Sequence, residues 1–409
     1  MCSMQNSETE PVKYRELLHL EAKYPDVSPY WLEQLSLIRY GAVLSDRAGQ
    51  RISQPDLRFN VESAFGLQFG EREQQAMPGP LLLADDTFVY INWGEPYPDP
   101  YVVDYDPEKK NFFLCDGDTV VDGAVRFVPR PEFFGKKTSK GTPMEAIADV
   151  RLHELVMTTY RRCCFRDSGM ACRFCAFFTG YLDNAALEVD PEDAYEVAKA
   201  AWSENGRFTH IQLSGGSDLA GSYRFEREAD RYIRQWQAIG RCFDGRIPGE
   251  LMAPAYPKKL LQRVYEEAGI TEYSANLEIP SAKVFRAYCP GKEEYVGFEN
   301  WVNRLVEAVD VFGSGHVLSS FVGGAELVGP EAISQEESLE AHFRMCDYLT
   351  RNGVVYNASI WRPHRKCGLG YVEMAPLEYY VRLMKGVEDI TRANGKFAGK
   401  NTGKLRREK

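Results

Sequence analysis

Four of the chain's ten cysteines crowd into the segment from Cys163 to Cys175. In Cys172-Arg-Phe-Cys175 the spacing lets two thiolates reach one metal centre from a single turn. A third, from Cys164 or its neighbour Cys163, would complete a set able to hold three irons of a cubane cluster and leave the fourth iron open to a ligand. Arg161, Arg162, Arg166 and Arg173 surround the set, and positive charge favours thiolates. Two other readings stay open on spacing alone. Zinc also takes Cys-x-x-Cys, but structural sites use four ligands, often from a second pair, and none exists here, although Cys163 could serve. A redox pair of the thioredoxin kind sits at a helix start in a smaller fold, and Arg-Phe between the cysteines gives it little support.

The remaining cysteines, Cys2, Cys115, Cys242, Cys289, Cys346 and Cys367, stand singly and read as small buried hydrophobes. The six histidines form no H-x-x-x-H pair, and His210 and His316 read as structural. The first thirteen residues are polar and acidic, with no apolar run after a basic start, and no stretch nears the ~20 apolar residues of a membrane span. A cytoplasmic location, reduced thiols and no disulfide framework are therefore expected. The net charge of −10 disfavours nucleic acid as a partner. With 409 residues the chain exceeds the usual size of one core, so two domains are expected.

What must position the cysteines is an alternation of strands and helices. Strands are expected over 155–160, 208–213, 247–253, 273–279, 316–322 and 354–360, with helices over 191–204, 224–239, 258–267, 298–312, 334–352 and 376–394. Six βα units in series imply a parallel sheet, because parallel neighbours need a crossover. The fold class is therefore α/β, a partial (βα)6 barrel of the TIM type, with a doubly wound sheet as the competing architecture. In either, the ligand site lies at the strands' C-terminal ends, where the cysteine segment falls. Residues 1–145 read as an N-terminal α+β domain: two helices over 14–23 and 29–40, then short runs near 81–83, 88–93, 101–104, 111–114 and 124–128 that suggest an antiparallel sheet. The barrel domain would span 146–395, followed by a basic tail at 396–409.

The segment Cys172-Arg-Phe174-Cys175 resembles the second half of the radical S-adenosylmethionine signature, in which an aromatic precedes the last cysteine. Seven residues separate Cys164 from Cys172, where that superfamily usually has three. Cys164-Phe-Arg resembles lengthened loops of biotin-synthase-like members, so the resemblance makes Cys164, Cys172 and Cys175 the ligands of a [4Fe–4S] cluster. Three later segments fit the same family. Gly215-Gly216-Ser217 is similar to the segment that holds the amino group of S-adenosylmethionine, with Ser217 in place of the usual Glu; read alone it is a Gly-rich turn. Asn276 and Glu278, alternating with apolar Leu277 and Ile279, would contact the ribose or methionine portion. Ser319-x-Phe321-x-Gly323 resembles the adenine-contacting strand, with Phe321 against the base; read alone it is a buried strand before a Gly turn.

Arg286 or Lys292 would meet the carboxylate of S-adenosylmethionine, although surface cations are usually only solvated. Arg362, His364 and Cys367, after the sixth strand, would reach the barrel mouth and the substrate. The resemblance implies reductive cleavage of S-adenosylmethionine to a 5′-deoxyadenosyl radical acting on a small-molecule substrate. It also implies oxygen sensitivity and an electron donor such as flavodoxin or ferredoxin. The resemblance covers roughly residues 155–357, and the N-terminal domain is a candidate cap over the barrel mouth. Transfer of a 3-amino-3-carboxypropyl group, or a non-enzymatic structural zinc protein, are the alternatives.

Overall fold

The computed structural model describes residues 11–54, 79–91, 93, 99–177 and 187–395. The basic tail expected at 396–409 lies outside them. The elements run α1 (Val12–Lys23), α2 (Pro29–Tyr40), β1 (Ala42–Leu44), α3 (Asp46–Ile52), β2 (Leu81–Leu82), β3 (Phe88–Val89), β4 (Tyr101–Asp106), β5 (Asn111–Asp116) and β6 (Thr119–Phe127). Next come β7 (Ala148–Arg151), β8 (Glu154–Thr158), α4 (Cys164–Asp167), α5 (Pro191–Trp202), β9 (His210–Ser214), α6 (Glu226–Gly240), β10 (Ile247–Met252), α7 (Lys258–Ala268) and β11 (Ile270–Ser274). The chain continues through α8 (Ala282–Tyr288), α9 (Pro290–Tyr295), α10 (Phe298–Phe312), β12 (Val317–Gly323), α11 (Gln335–Arg351), β13 (Val354–Ile360) and α12 (Leu377–Ala393).

Two sheets result. The smaller has the order β1-β4-β5-β6-β2-β3; its β4, β5, β6, β2 and β3 pair antiparallel as expected, but β1 pairs parallel with β4, so the sheet is mixed. The larger has the order β7-β8-β9-β10-β11-β12-β13. Strands β8 to β13 are parallel and lie in unbroken sequence order, while β7 pairs antiparallel with β8 as an edge the sequence reading had not placed. A doubly wound sheet needs a reversal of strand order. None occurs here, so that alternative falls.

The large sheet is curled. Seven flat strands would hold their outer edges roughly 29 Å apart at about 4.8 Å per step. Yet Arg151 on β7 and Arg362 just past β13 both reach the ring of Tyr90: Arg151 Nε donates to its hydroxyl at 3.1 Å, and the Arg362 guanidinium lies 5.4 Å from the ring centroid. A side chain of the N-terminal region thus spans the gap between the two edges.

Alternation assigns the faces. Gly249 packs against Trp236 of α6, and Gly323 against Leu383 of α12, so their register-mates face the helices. Glu250, Met252, Ser274, Ser320 and Asn357 face the concave side. Helices start where local chemistry permits: Asp190 caps α5 through the Glu192 N–H, with Pro191 at the first position, and Ser334 with Glu337 forms a capping box on α11. Leu17, Leu20, Trp31 and Leu32 of α1 and α2 join the core of the large sheet, whereas Leu81, Val89, Tyr101, Val103 and Leu114 build a second core under the small sheet.

Candidate functional site

The fourth parallel strand stops at Ser274, earlier than the expected 279. Asn276 Oδ1 accepts from the Ser320 N–H at 3.0 Å and from Ser274 Oγ at 2.9 Å, diverting the ladder. Glu278 then adopts a left-handed conformation (φ 71°), unusual for a residue with a Cβ and costly unless the surroundings impose it. Its N–H bonds to Ser320 and its carbonyl accepts from Val322, which fix that turn at the end of β12.

Lys292 Nζ completes the arrangement, donating to the Asn276 carbonyl at 2.6 Å and to Glu278 Oε1 at 2.9 Å, with a side chain only 12% exposed. Lys292 lies beside Cys172 and Cys289, and the Glu278 carboxylate and both sulfurs hold its ammonium well above the usual lysine range against the cost of burial.

The cysteine loop leaves the end of β8 and is built against the next βα turn. Thr159 N–H bonds to Ser214, Gly216 N–H to Tyr160, and Cys164 N–H to Ser217. A Cβ at Gly216 would lie 2.1 Å from the Arg162 carbonyl oxygen, and one at Gly215 would lie 2.6 Å from Thr159 Oγ1. The Gly-Gly pair is therefore required by contact with the cysteine loop itself. Cys163 precedes α4 with extended backbone (φ −116°, ψ 118°), and Cys172 and Cys175 close a turn through Cys175 N–H to Cys172 O at 3.1 Å.

Electrostatics distinguish the thiols. Cys172 is held below the ordinary thiol range, first by the Cys289 thiol beside it, with help from the nearby Lys292 ammonium and Arg166. Cys175 is pushed up to about 12 by burial, and Cys172 adds to the rise while Arg166 opposes it. Burial raises Cys163 as well; backbone amides of Ser217, Arg166 and Phe165 oppose it, and Cys172 acts on it. Cys164 is pushed up to about 12 by burial and by Cys163, and its other charged neighbours are Glu228 and Asp218. Cys163, Cys172 and Cys175 thus act on one another, while Cys164 is acted on by Cys163 and by Glu228 and Asp218. Among the described residues, no three cysteine sulfurs lie within 4.8 Å of one another. One zinc at about 2.3 Å from each sulfur would hold them roughly 3.8 Å apart.

No family model matches the chain. It is similar to the bacteriochlorophyllide c C-7(1)-hydroxylase of Chlorobaculum limnaeum, 23% identical over 201 residues, which cover 46% of this chain and 49% of that protein. The chain thus spans about half the length of this curated relative. Among solved structures it is similar to a radical SAM methyltransferase from Sphaerobacter thermophilus (TM-score 0.43, 14% identity, 61% of this chain and 66% of that one). It is also similar to active domain 2 of a chitinase from Pyrococcus furiosus (TM-score 0.28, 12% identity, 50% and 68%).

Of the residues singled out in the sequence, the structure gathers most around the loop. Trp361 Nε1 donates to the Phe174 carbonyl at 3.3 Å, Leu369 N–H bonds to Arg173 O, and Gly368 packs on Arg173, so the 361–369 segment lies over the Cys172–Cys175 turn. His364 is buried in that segment, accepting from the Lys366 N–H, and burial with the positive charges of Lys366, Arg365 and Arg362 lowers its basicity. Cys367 is buried too, its thiol 3.6 Å from the Gly370 carbonyl.

Two expectations need correcting. Phe321 is fully buried and stacked on Tyr356 at 4.1 Å on the helix-facing side, so its ring cannot meet an adenine in the lumen; Ser320 and Val322 face inward instead. Arg286 lies exposed, its guanidinium engaged by Glu293 and Glu299. Cys289, which reads as a lone buried thiol in the sequence, lies against Cys172. The clue was its Cys-Pro-Gly-Lys context: Gly291 packs on Phe165 so closely that a Cβ would lie 2.6 Å from the ring, and this closes α9 onto the cysteine loop.

Proposed function

We propose that this chain is a radical S-adenosylmethionine enzyme whose [4Fe–4S] cluster is held by Cys163, Cys172 and Cys175. The observation that carries the reading is the shared neighbourhood of these three thiols on one loop at the C-terminal ends of the parallel strands, beside Arg166 and Lys292. Cys163 takes the place of Cys164 in this assignment because Cys172 and Cys175 interact with Cys163, whereas the charged neighbours of Cys164 beyond Cys163 are Glu228 and Asp218. When bound, the cluster and S-adenosylmethionine supply one-electron cleavage of a sulfonium C–S bond and hence an organic radical, most simply 5′-deoxyadenosyl.

The chain's own residues position and enclose. Gly215, Gly216 and Ser217 bring backbone close to the loop. Glu278, pinned by Lys292, offers a carboxylate to ribose hydroxyls, and the same Lys292 holds the Asn276 carbonyl. Ser320, Val322 and the Gly323 backbone line the wall where the adenine would lie. The 361–369 segment, with Arg362, His364 and Cys367, covers the site on the substrate side and excludes water. In this reading residues 146–395 form a partial (βα)6 barrel, and residues 1–145 close its open side through Tyr90.

Likeness to a hydroxylase favours a substrate attacked at a C–H bond, and an external flavodoxin or ferredoxin would supply the electron. The test is anaerobic incubation of reduced protein with S-adenosylmethionine, followed by chromatography of the nucleosides. Release of 5′-deoxyadenosine is expected. Methylthioadenosine would assign 3-amino-3-carboxypropyl transfer, and no nucleoside at all would refute the proposal.

A further inference from the structure

The opposite end of the large sheet carries a second constellation. Strand register sets Gln212, Glu250 and Glu272 side by side on β9, β10 and β11, with His210 two residues before Gln212 on the same face. One nitrogen of His210 and one carboxylate oxygen from each of Glu250 and Glu272 all lie within 4.8 Å of one another. His210 Nε2 is 3.8 Å from Glu272 Oε2, and His316 Nδ1 is 3.8 Å from the other oxygen of the same carboxylate. Those separations are too long for hydrogen bonds. They match two ligands that each reach about 2.1 Å to a shared ion.

The donor set is mixed, which separates it from an ordinary acidic patch. Glu250 is buried (6% exposed), with Gln212 Nε2 donating to one oxygen at 3.0 Å. Gln212 in turn accepts from Arg151 at 3.4 Å, and Arg151 lies 4.0 Å from Glu154. Three carboxylates, Glu154, Glu250 and Glu272, therefore converge with one guanidinium. A carboxyl as buried as Glu250 favours either a proton or a bound cation. His316 stands beside the Glu272 carboxylate, its side chain 46% exposed.

We propose that His210, Glu250 and Glu272 bind a divalent first-row transition metal at the foot of the barrel. Imidazole with carboxylate suits manganese, iron or zinc, while the soft thiols of the cysteine loop lie at the other end. The ion ties three consecutive strands together. This site is distinct from the radical site and does not depend on that reading.

Manganese(II) is the probe, because thiols compete for it poorly. Titration of the full-length protein, followed by loss of the free-ion electron paramagnetic resonance signal, is expected to give one bound equivalent. Spin-echo modulation should show a directly bonded imidazole nitrogen. Glu272→Gln should weaken binding at least tenfold, and His210→Ala should abolish the nitrogen modulation. Cys172→Ala should bind manganese as the wild type does, which separates this site from the cluster. No saturable binding, or binding and modulation unchanged in both lumen variants, would overturn the proposal. Circular dichroism of each variant controls for folding.

Discussion

The two ends of the large sheet present opposite chemistry from the same strands. At the C-terminal end, thiols lie among Arg166, Arg173 and Lys292, a soft set flanked by positive charge. At the N-terminal end, His210, Glu250 and Glu272 form a hard set of imidazole and carboxyl groups. At roughly 3.3 Å per residue, Glu272 and Asn276 mark levels about 13 Å apart. The difference teaches how each set is built. The upper residues sit on loops held by backbone contacts, in which Gly216 and Gly291 allow close approach. The lower ones sit on the strands, where register alone brings them together.

The sharpest way to break this contrast is at the upper end. Cys175→Ala is expected to reduce S-adenosylmethionine cleavage to background, while manganese binding at the foot persists; loss of both would show that the ends are not independent. Gly216→Ala comes next. Its Cβ meets backbone, which no side-chain rotation relieves, so a destabilisation of about 1–3 kcal/mol is expected, with lost iron retention. Thermal melting and iron content check it. Lys292→Met leaves Glu278 without its cation at a largely buried position and should cost up to about 3 kcal/mol. It should also weaken S-adenosylmethionine binding, measured by calorimetry.

The lower end makes a pH prediction of smaller size. Burial, with Glu154 and Glu272 nearby, pushes the Glu250 carboxyl up to about 8 from an ordinary value near 4.5. The folded state therefore holds a proton that the unfolded state releases, so this group's contribution to stability falls as pH rises from about 4.5 to about 8. In chelator-treated protein, Glu250→Gln should flatten that fall, with a difference on the order of 1 kcal/mol per pH unit inside the window and none below it. Parallel slopes for the two proteins would contradict the assignment. Smallest of all, Tyr90→Phe removes the hydrogen bond to Arg151 and should cost about 1 kcal/mol, read by urea unfolding.

Much of the upper site was legible in the sequence because its signals are local: clustered cysteines, paired glycines and strands of regular spacing. The face of Phe321 was not. In Val317–Gly323 apolar residues occupy both parities, so alternation gives no inward set, and only packing on Tyr356 decides. Nor was the stop at Ser274, since Asn276 ends the strand by taking a hydrogen bond from its neighbour. Cys289 lies more than a hundred residues from Cys172 and becomes its neighbour only through the α8–α9 turn. The foot of the barrel was hidden for the same reason. Its three ligands fall one to a strand, with no spacing to reveal them, and single histidines such as His210 and His316 read as structural until the register is known.

The central claim is that three thiols of one loop hold an iron–sulfur cube. Its most direct test is the iron and sulfide content, with the visible spectrum, of anaerobically reconstituted Cys163→Ala, Cys164→Ala, Cys172→Ala and Cys175→Ala. The account predicts about four irons per chain in the wild type and in Cys164→Ala, and loss of the brown chromophore in the other three. A colourless wild-type protein containing one zinc, or full iron retention in Cys172→Ala, would contradict it.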